Sequence, residues 1–233
     1  MKRNLADRNV NIADTDFRVA VPLYTFAEAA RIAELPQHRV LNWASPSRGV
    51  PLVESFPPRE RGYPRLSFMA LTLVLVIAEL RKAGVSMSRI KPALARVEEE
   101  FGIKYAVAHE MILTDGLEVL VETPPDTPSK DMFQPRTGQT VMKDIIKAHL
   151  HVIEHAKDGY PARLKLSKYD TAEVIVDPEI AFGSPFFRYG GVTVDRVLSR
   201  LRAGETAEEV SIDFGVPLEH VEDVRSVGIK LAA

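Results

Sequence analysis

The 233-residue sequence contains no cysteine. That excludes disulfides, thiolate nucleophiles and cysteine-rich zinc sites, and it fits a reducing compartment. Long apolar runs are missing too. The longest, Phe68 to Leu80, falls short of the ~20 residues a membrane helix needs, so it reads as a buried core helix or a dimer helix. The polar N-terminal stretch MKRNLADRNVNIADTD has no apolar segment of the secretory kind. A cytoplasmic protein without a membrane anchor is the expectation. Familiar catalytic signatures are also absent. Gly190-Gly191 is followed by Val192 rather than Lys-Ser/Thr, so there is no phosphate-binding loop. No G-x-S-x-G elbow occurs, and no carboxylate spacing selects a catalytic pair.

What is present is an ordinary globular balance, 45% hydrophobic and 27% charged, in a length that suits one or two small domains. The net charge of −2 hides an asymmetry. Tyr24 to Arg96 holds eleven Lys and Arg against five Asp and Glu, whereas Val174 to Ala233 holds six against ten. A basic front and an acidic back suit different partners.

Local patterning divides the chain into an arm (1–23), a helical module (24–102), a connecting region with a hairpin and a helix (103–172) and a C-terminal helical module (173–233). Asp115-Gly116 between apolar runs predicts the hairpin over 103–122, and the prolines of 123–139 predict a loop. A helix is expected over Val141–Lys157, stopped by Asp158-Gly159-Tyr160-Pro161, with short strands at Arg163–Leu166 and Glu173–Val176. The expected fold class is therefore mainly α with small β elements, two helix-turn-helix modules flanking a small β-hairpin and helix region.

In the first module, Thr25-Phe26-Ala27-Glu28 has the spacing of a capping box. The helix it opens breaks at Ala33-Glu34-Leu35, and a second helix runs from Gln37 to Trp43 behind Pro36. Val40 and Trp43 share its inner face, leaving Gln37, His38, Arg39 and Asn42 outward. Two short helices across a tight turn, the second carrying amide and guanidinium groups, make a helix-turn-helix, in which Asn or Gln can read adenine and Arg guanine. Arg48, Arg59, Arg61 and Arg65 follow around two turns, as a basic wing would. A helical core with a solvated basic face is the structural alternative. The order of helix-turn-helix, wing, long apolar helix and the segment AGVSMSRI resembles the MerR-like winged-helix family over residues 24–102. Glu34 stands where that family commonly has glycine, and Leu41 where it is often polar.

In the C-terminal module, Asp177-Pro178-Glu179-Ile180-Ala181-Phe182-Gly183-Ser184-Pro185-Phe186-Phe187 precedes a helix from Val194 to Arg202. A second capping box follows at Thr206–Glu209, and Phe214-Gly215-Val216-Pro217 makes the turn into a last helix. Glu219, Glu222 and Asp223 on that helix would repel phosphates, so this helix-turn-helix suits dimerisation or protein binding; a plain structural bundle is the alternative. The residues Asp177, Pro178, Gly183, Pro185, Ala203, Gly204, Glu205, Thr206, Glu208, Glu209 and Val210 resemble a domain family of formally unknown function that commonly occurs in VapB-type antitoxins. The family's G-T-R segment is replaced by Tyr189-Gly190-Gly191-Val192, which leaves Arg188 as the nearest arginine. Together the two halves resemble a subtype of VapB antitoxin. That resemblance implies a PIN-domain ribonuclease toxin as partner and repression of the shared operon through operator DNA; palindromic sites want two-fold proteins, so a homodimer is expected. Arg188, Arg225 and Lys230 are candidate toxin contacts.

One enzyme-like pattern remains. His151-Val152-Ile153-Glu154-His155 spells H-x-x-E-H, which on a helix would bring both imidazoles to one Zn²⁺. The alternative is a tolerated histidine cluster at a helix C-terminus, and it is preferred: no metal, cofactor or catalytic residue is assigned. The readings in order are a non-enzymatic antitoxin and repressor, a stand-alone MerR-like regulator that senses a ligand through 103–172, and a zinc-dependent hydrolase using His151, Glu154 and His155.

Overall fold

The computed structural model describes residues 12–45, 50–60, 62–101, 105–110 and 151–230. The chain folds as two compact units, one of 1–151 with 155–161 and one of 152–154 with 162–233. The expected fold class holds: helices dominate, with one small antiparallel sheet.

The first unit contains α1 (Phe17–Ala20), α2 (Phe26–Ile32), α3 (Gln37–Trp43), α4 (Phe68–Lys82) and α5 (Met87–Phe101), with a 3₁₀ turn at Ala106–Ala108. Its axis is α4. Every residue from Phe68 to Leu80 is buried, so this run is core within the single chain. Being apolar on all sides, it has to be covered on all sides, and it packs against α1, α5 and the 3₁₀ turn. Its two polar residues are satisfied locally. The Thr72 hydroxyl donates to the Phe68 carbonyl at 2.9 Å, and Glu79 accepts from Lys82 at 2.9 Å. In α5 the buried positions Ile90, Ala93, Leu94 and Val97 recur every three to four residues, forming a single apolar stripe against that core.

The arm is not wholly irregular. Asp16 caps α1 by accepting from the Arg18 amide at 2.8 Å, and Arg18 then pairs with both Asp16 and Asp158 and donates to the Pro161 carbonyl at 3.3 Å. The Arg18 guanidinium holds both carboxyls below their usual range against the opposing effect of burial. Next to this anchor, His109 Nε2 donates to the Asp158 carbonyl at 3.1 Å and the ring stands edge-on to Tyr160. His155 bonds the Ala108 carbonyl at 3.1 Å. Gly159, at φ +82°, would place a Cβ 2.4 Å from the His109 ring; only glycine fits there.

The second unit carries the sheet β1 (Ile153–His155), β2 (Pro161–Lys165), β3 (Val174–Val176) and β4 (Phe186–Phe187), in that spatial order; the terminal residues His155 and Pro161 fall to the first unit. Leu164 faces Val176 across β2–β3, and Ile175 faces Phe186 across β3–β4. Three helices follow: α6 (Val194–Arg202), α7 (Ala207–Phe214) and α8 (Leu218–Lys230). The helix expected over Val141–Lys157 is corrected at its end. Residues 153–155 form a strand, and Ala156–Tyr160 is a tight turn closed by the Ala156 amide on the Tyr160 carbonyl at 2.8 Å. The β-branched Val152-Ile153 pair prefers this extended, half-buried setting. The hairpin expected over 103–122 is corrected at its first arm: Ala106–Ala108 is a 3₁₀ turn behind a left-handed Tyr105 rather than a strand. Residues 111–150, with the rest of that hairpin, the proline-rich loop and the helix start, lie outside the described set. No helix among the described residues is long and apolar enough to cross a membrane.

Burial pushes the imidazoles of His109 and His155 below their ordinary pKa of 6.5. The unfolded chain therefore takes up protons first as pH falls. Stability should be level above about pH 7 and decline below about pH 6.5, by at most about 1.4 kcal/mol per pH unit for each imidazole. Thermal melts at pH 7.5 and 5.5 check this, and His155→Gln should flatten the dependence; a melting temperature unchanged across that interval would refute it.

Candidate nucleic-acid interface

The helix-turn-helix is built by the rules the sequence predicts. Thr25 Oγ1 accepts from the Glu28 amide at 3.1 Å, and Glu28 accepts from the Thr25 amide at 2.8 Å. The turn closes where the Leu35 amide reaches the Ala30 carbonyl at 2.8 Å. Glu34 adopts a left-handed conformation, φ 55°, which explains why a glycine suits that position; Lys82 Nζ meets its carboxylate at 3.0 Å. On α3, Val40 and Trp43 are buried. Gln37, His38, Arg39, Leu41 and Asn42 are all exposed. Leu41 sets an exposed apolar side chain among them.

The expected wing differs from a β-hairpin. No strand forms among the described residues of 50–66. A reciprocal contact closes the loop instead: the Phe56 amide donates to the Arg65 carbonyl at 2.8 Å, and Arg65 Nε donates to the Phe56 carbonyl at 2.8 Å. Pro57, Pro58 and Pro64 lack the N–H groups a ladder needs. The loop is fixed at its base by the Leu52 and Val53 amides on the Trp43 carbonyl, at 2.8 and 3.1 Å, and by the Tyr105 hydroxyl on Glu54 at 2.8 Å. Tyr105 keeps its proton, since burial and then the Glu54 charge push its pKa well up.

The structure sorts the basic residues of this module. Arg65 is turned inward, on the Phe56 carbonyl and 5.0 Å from the centre of the Phe26 ring. Arg81 serves the Val85 carbonyl and Lys82 two carboxylates. Arg59 is exposed, 5.9 Å from the Tyr63 ring centre. Arg48 and Arg61 lie outside the described residues. Arg39 and Lys91 have no ion-pair partner among the described residues, and both line one cleft of about 250 Å³ with Asn42 and Trp43. Lys91 escapes sequence reading. Its place off the buried stripe of α5 marks it as exposed, but nothing local brings it beside α3.

In the second unit, Asp177 explains the D-P-x-x-x-x-G-x-P pattern. It is buried, pairs with Arg163 at 2.7 Å, and its other oxygen accepts from the Glu179 amide at 2.9 Å. Its carbonyl accepts from the Ile180 amide. This clamp supports a tight knuckle in which Ala181 and Phe182 are both left-handed, φ 48° and 52°, and Phe182 is 84% exposed. Ile180 and Tyr189 are exposed nearby in sequence. The A-G-E segment is set by Arg200, which pairs with Glu205 and with Asp213 and lies 5.3 Å from the Phe214 ring centre. The α7–α8 turn has Gly215 at φ 63°. Asp223 accepts from the Thr171 and Ala172 amides at 2.8 and 2.9 Å, so this acidic residue is structural. Of the candidate partner contacts, Arg188 pairs with Glu154 and Arg225 with Glu222. Lys230 ends α8, and its side chain is outside the described set.

The H-x-x-E-H pattern loses its helical premise. Glu154 and His155 are neighbours on a strand and diverge, one to Arg188 and the other to the Ala108 carbonyl. Among the described residues no three ligating side chains converge.

Residues 22–94 match a family described as "Putative DNA-binding HTH domain", and residues 174–226 match "Protein of unknown function (DUF433)". The chain is 33% identical over 228 residues to "Putative antitoxin VapB45" of Mycobacterium tuberculosis (strain ATCC 25618 / H37Rv), covering 90% of this chain and 95% of that protein. The crystal structure of Rv2018 from Mycobacterium tuberculosis superposes with a TM-score of 0.75 at 34% identity, covering 88% of this chain and 97% of the other.

Replacing Glu34 with glycine should leave stability unchanged or raise it by up to ~1 kcal/mol, because relief of left-handed strain outweighs an exposed ion pair and the looser unfolded chain. Glu34→Val should cost about 1–2 kcal/mol. Urea midpoints of the two variants test this, and a Gly variant less stable than the Val variant would refute the strain assignment.

Proposed function

The chain belongs to the family of "Putative antitoxin VapB45", and on that premise we propose that it is a DNA-binding antitoxin that neutralises a PIN-domain ribonuclease by direct contact and represses the operon encoding the pair. The observation that carries the DNA half is α3: a helix locked by Val40 and Trp43 whose other face presents Gln37, His38, Arg39 and Asn42 unobstructed. Together with the exposed Arg59, and with Arg48 and Arg61, which lie outside the described residues, these residues are the proposed operator contacts. The expected contribution of Arg65 is indirect, holding the loop. Palindromic operators favour a two-fold protein, so the DNA-bound form is proposed as a homodimer.

For the toxin half, the support is the character of the second unit. A ribonuclease must present a basic surface to its RNA, and this unit is acidic, with Ile180 and Phe182 exposed on the knuckle held by the Asp177 clamp and Tyr189 exposed further along the chain. Arg188, Arg225 and Lys230 are proposed to supply the cation that faces the toxin's acidic active site, Arg188 and Arg225 by exchanging the exposed carboxylates they now hold. The protein acts by binding in the cytoplasm, with no cofactor and no catalysis of its own.

Arg39→Ala or Asn42→Ala should lower operator affinity by about 1–3 kcal/mol and leave inhibition of the operon's ribonuclease intact. Removal of 226–233 should do the reverse, weakening inhibition more than DNA binding. Electrophoretic mobility shift with the native promoter, and RNA cleavage assayed with the purified ribonuclease, read the two activities separately. Equal loss of both in each variant would end this division of labour.

A further inference from the structure

The cleft beside the reading helix is not accounted for by base recognition. Arg39 and Asn42 come from α3, Val50 to Leu52 from the loop, and Met87 and Lys91 from α5. Its volume of about 250 Å³ is far larger than a phosphate group. Two of its rim residues are cations from different helices, and neither has a carboxylate partner among the described residues. Elsewhere in the first unit Lys82 and Arg18 are each paired with two carboxylates. Two cations border the same concavity, an arrangement that an anion held between them would stabilise. Met87 is the first residue of α5, so the positive end of that helix borders the same space. The floor is Trp43, 9% exposed.

We propose that this cleft binds a phosphate group between Arg39 and Lys91, and that the phosphate belongs to the backbone of the DNA whose bases α3 reads. The inference rests on the DNA-binding reading and adds to it a residue outside the helix-turn-helix. Lys91 would grip the strand flanking the groove, fixing the depth and register of α3. A lysine is a point charge with no planar fork, suited to a phosphate rather than to a base edge. Its contribution is therefore independent of sequence, whereas Asn42 discriminates between sequences.

Trp43 is the only tryptophan in the chain, so its emission reports occupancy of the cleft directly. The full-length protein is titrated with its promoter duplex, with a scrambled duplex and with inorganic phosphate, for wild type, Lys91→Gln, Lys91→Arg and the exposed control Lys157→Gln. Lys91→Gln should weaken both duplexes alike, by about three- to tenfold, and reduce the slope of log K against log salt by about 0.9. It should also diminish the Trp43 response, while Lys91→Arg and Lys157→Gln stay near wild type. A saturable, Lys91-dependent response to inorganic phosphate that duplex DNA does not displace would overturn the DNA source in favour of a free phosphate-bearing ligand. Unchanged affinity, salt slope and emission in Lys91→Gln, with Arg39→Ala still impaired, would overturn the cleft assignment and leave the DNA reading standing. A wild-type protein that binds neither duplex nor phosphate would overturn both.

Discussion

Burial of α4 is the constraint on which the first unit depends. A helix apolar around its whole circumference cannot rest on a surface; each face exposed to water would cost roughly 25 cal/mol per Å². Phe68 to Leu80 are all buried, and the elements that cover them are thereby fixed in place. The strap that carries the reading helix is one of these consequences. Tyr24 and Leu66, both nearly inaccessible, exchange backbone hydrogen bonds of 2.9 and 3.0 Å immediately before α4 begins, so α2 and α3 leave from a rigid root. Precision in groove reading requires such a root, since a displacement of about 1 Å already breaks a bidentate base contact.

Charge in the module is allocated in the same economical way. Positions that must hold the loop use their cations inward, as Arg65 does on the Phe56 carbonyl, whereas Arg39 and Lys91, proposed to face DNA, have no ion-pair partner among the described residues. A basic residue near a helix-turn-helix is thus weak evidence of a phosphate contact by itself. What distinguishes Arg39 and Lys91 from Arg65 and Lys82 is their set of partners.

The second unit uses polar side chains to shape backbone. Asp177, Thr206, Glu209 and Asp223 each satisfy main-chain amides, and Arg200 joins the α6–α7 corner to α7. Residues shared with a domain family of unknown function are in this way largely scaffold. The side chains they display, Phe182 foremost, are those free to vary with a partner, because only the left-handed backbone of the knuckle, and not the identity of the exposed ring, is set by the clamp.

The sequence by itself determined the elements whose signals are local: the capping boxes at Thr25 and Thr206, the outward set on α3, the apolar helix at 68–80, and the helix-turn-helix of the acidic end. Each depends on residues within about four positions of one another, the range over which caps, turns and helical periodicity act. Tertiary structure decided what local pattern cannot encode. It made His155 part of a strand and of a part-buried contact to the Ala108 carbonyl, although its five-residue motif reads as helical. It turned Arg65 inward, replaced a hairpin wing with a proline-braced loop, and brought Lys91 beside Arg39 from a helix about fifty residues away in sequence. Those outcomes depend on which surfaces are buried together, and burial is a property of the folded chain rather than of any short segment of it.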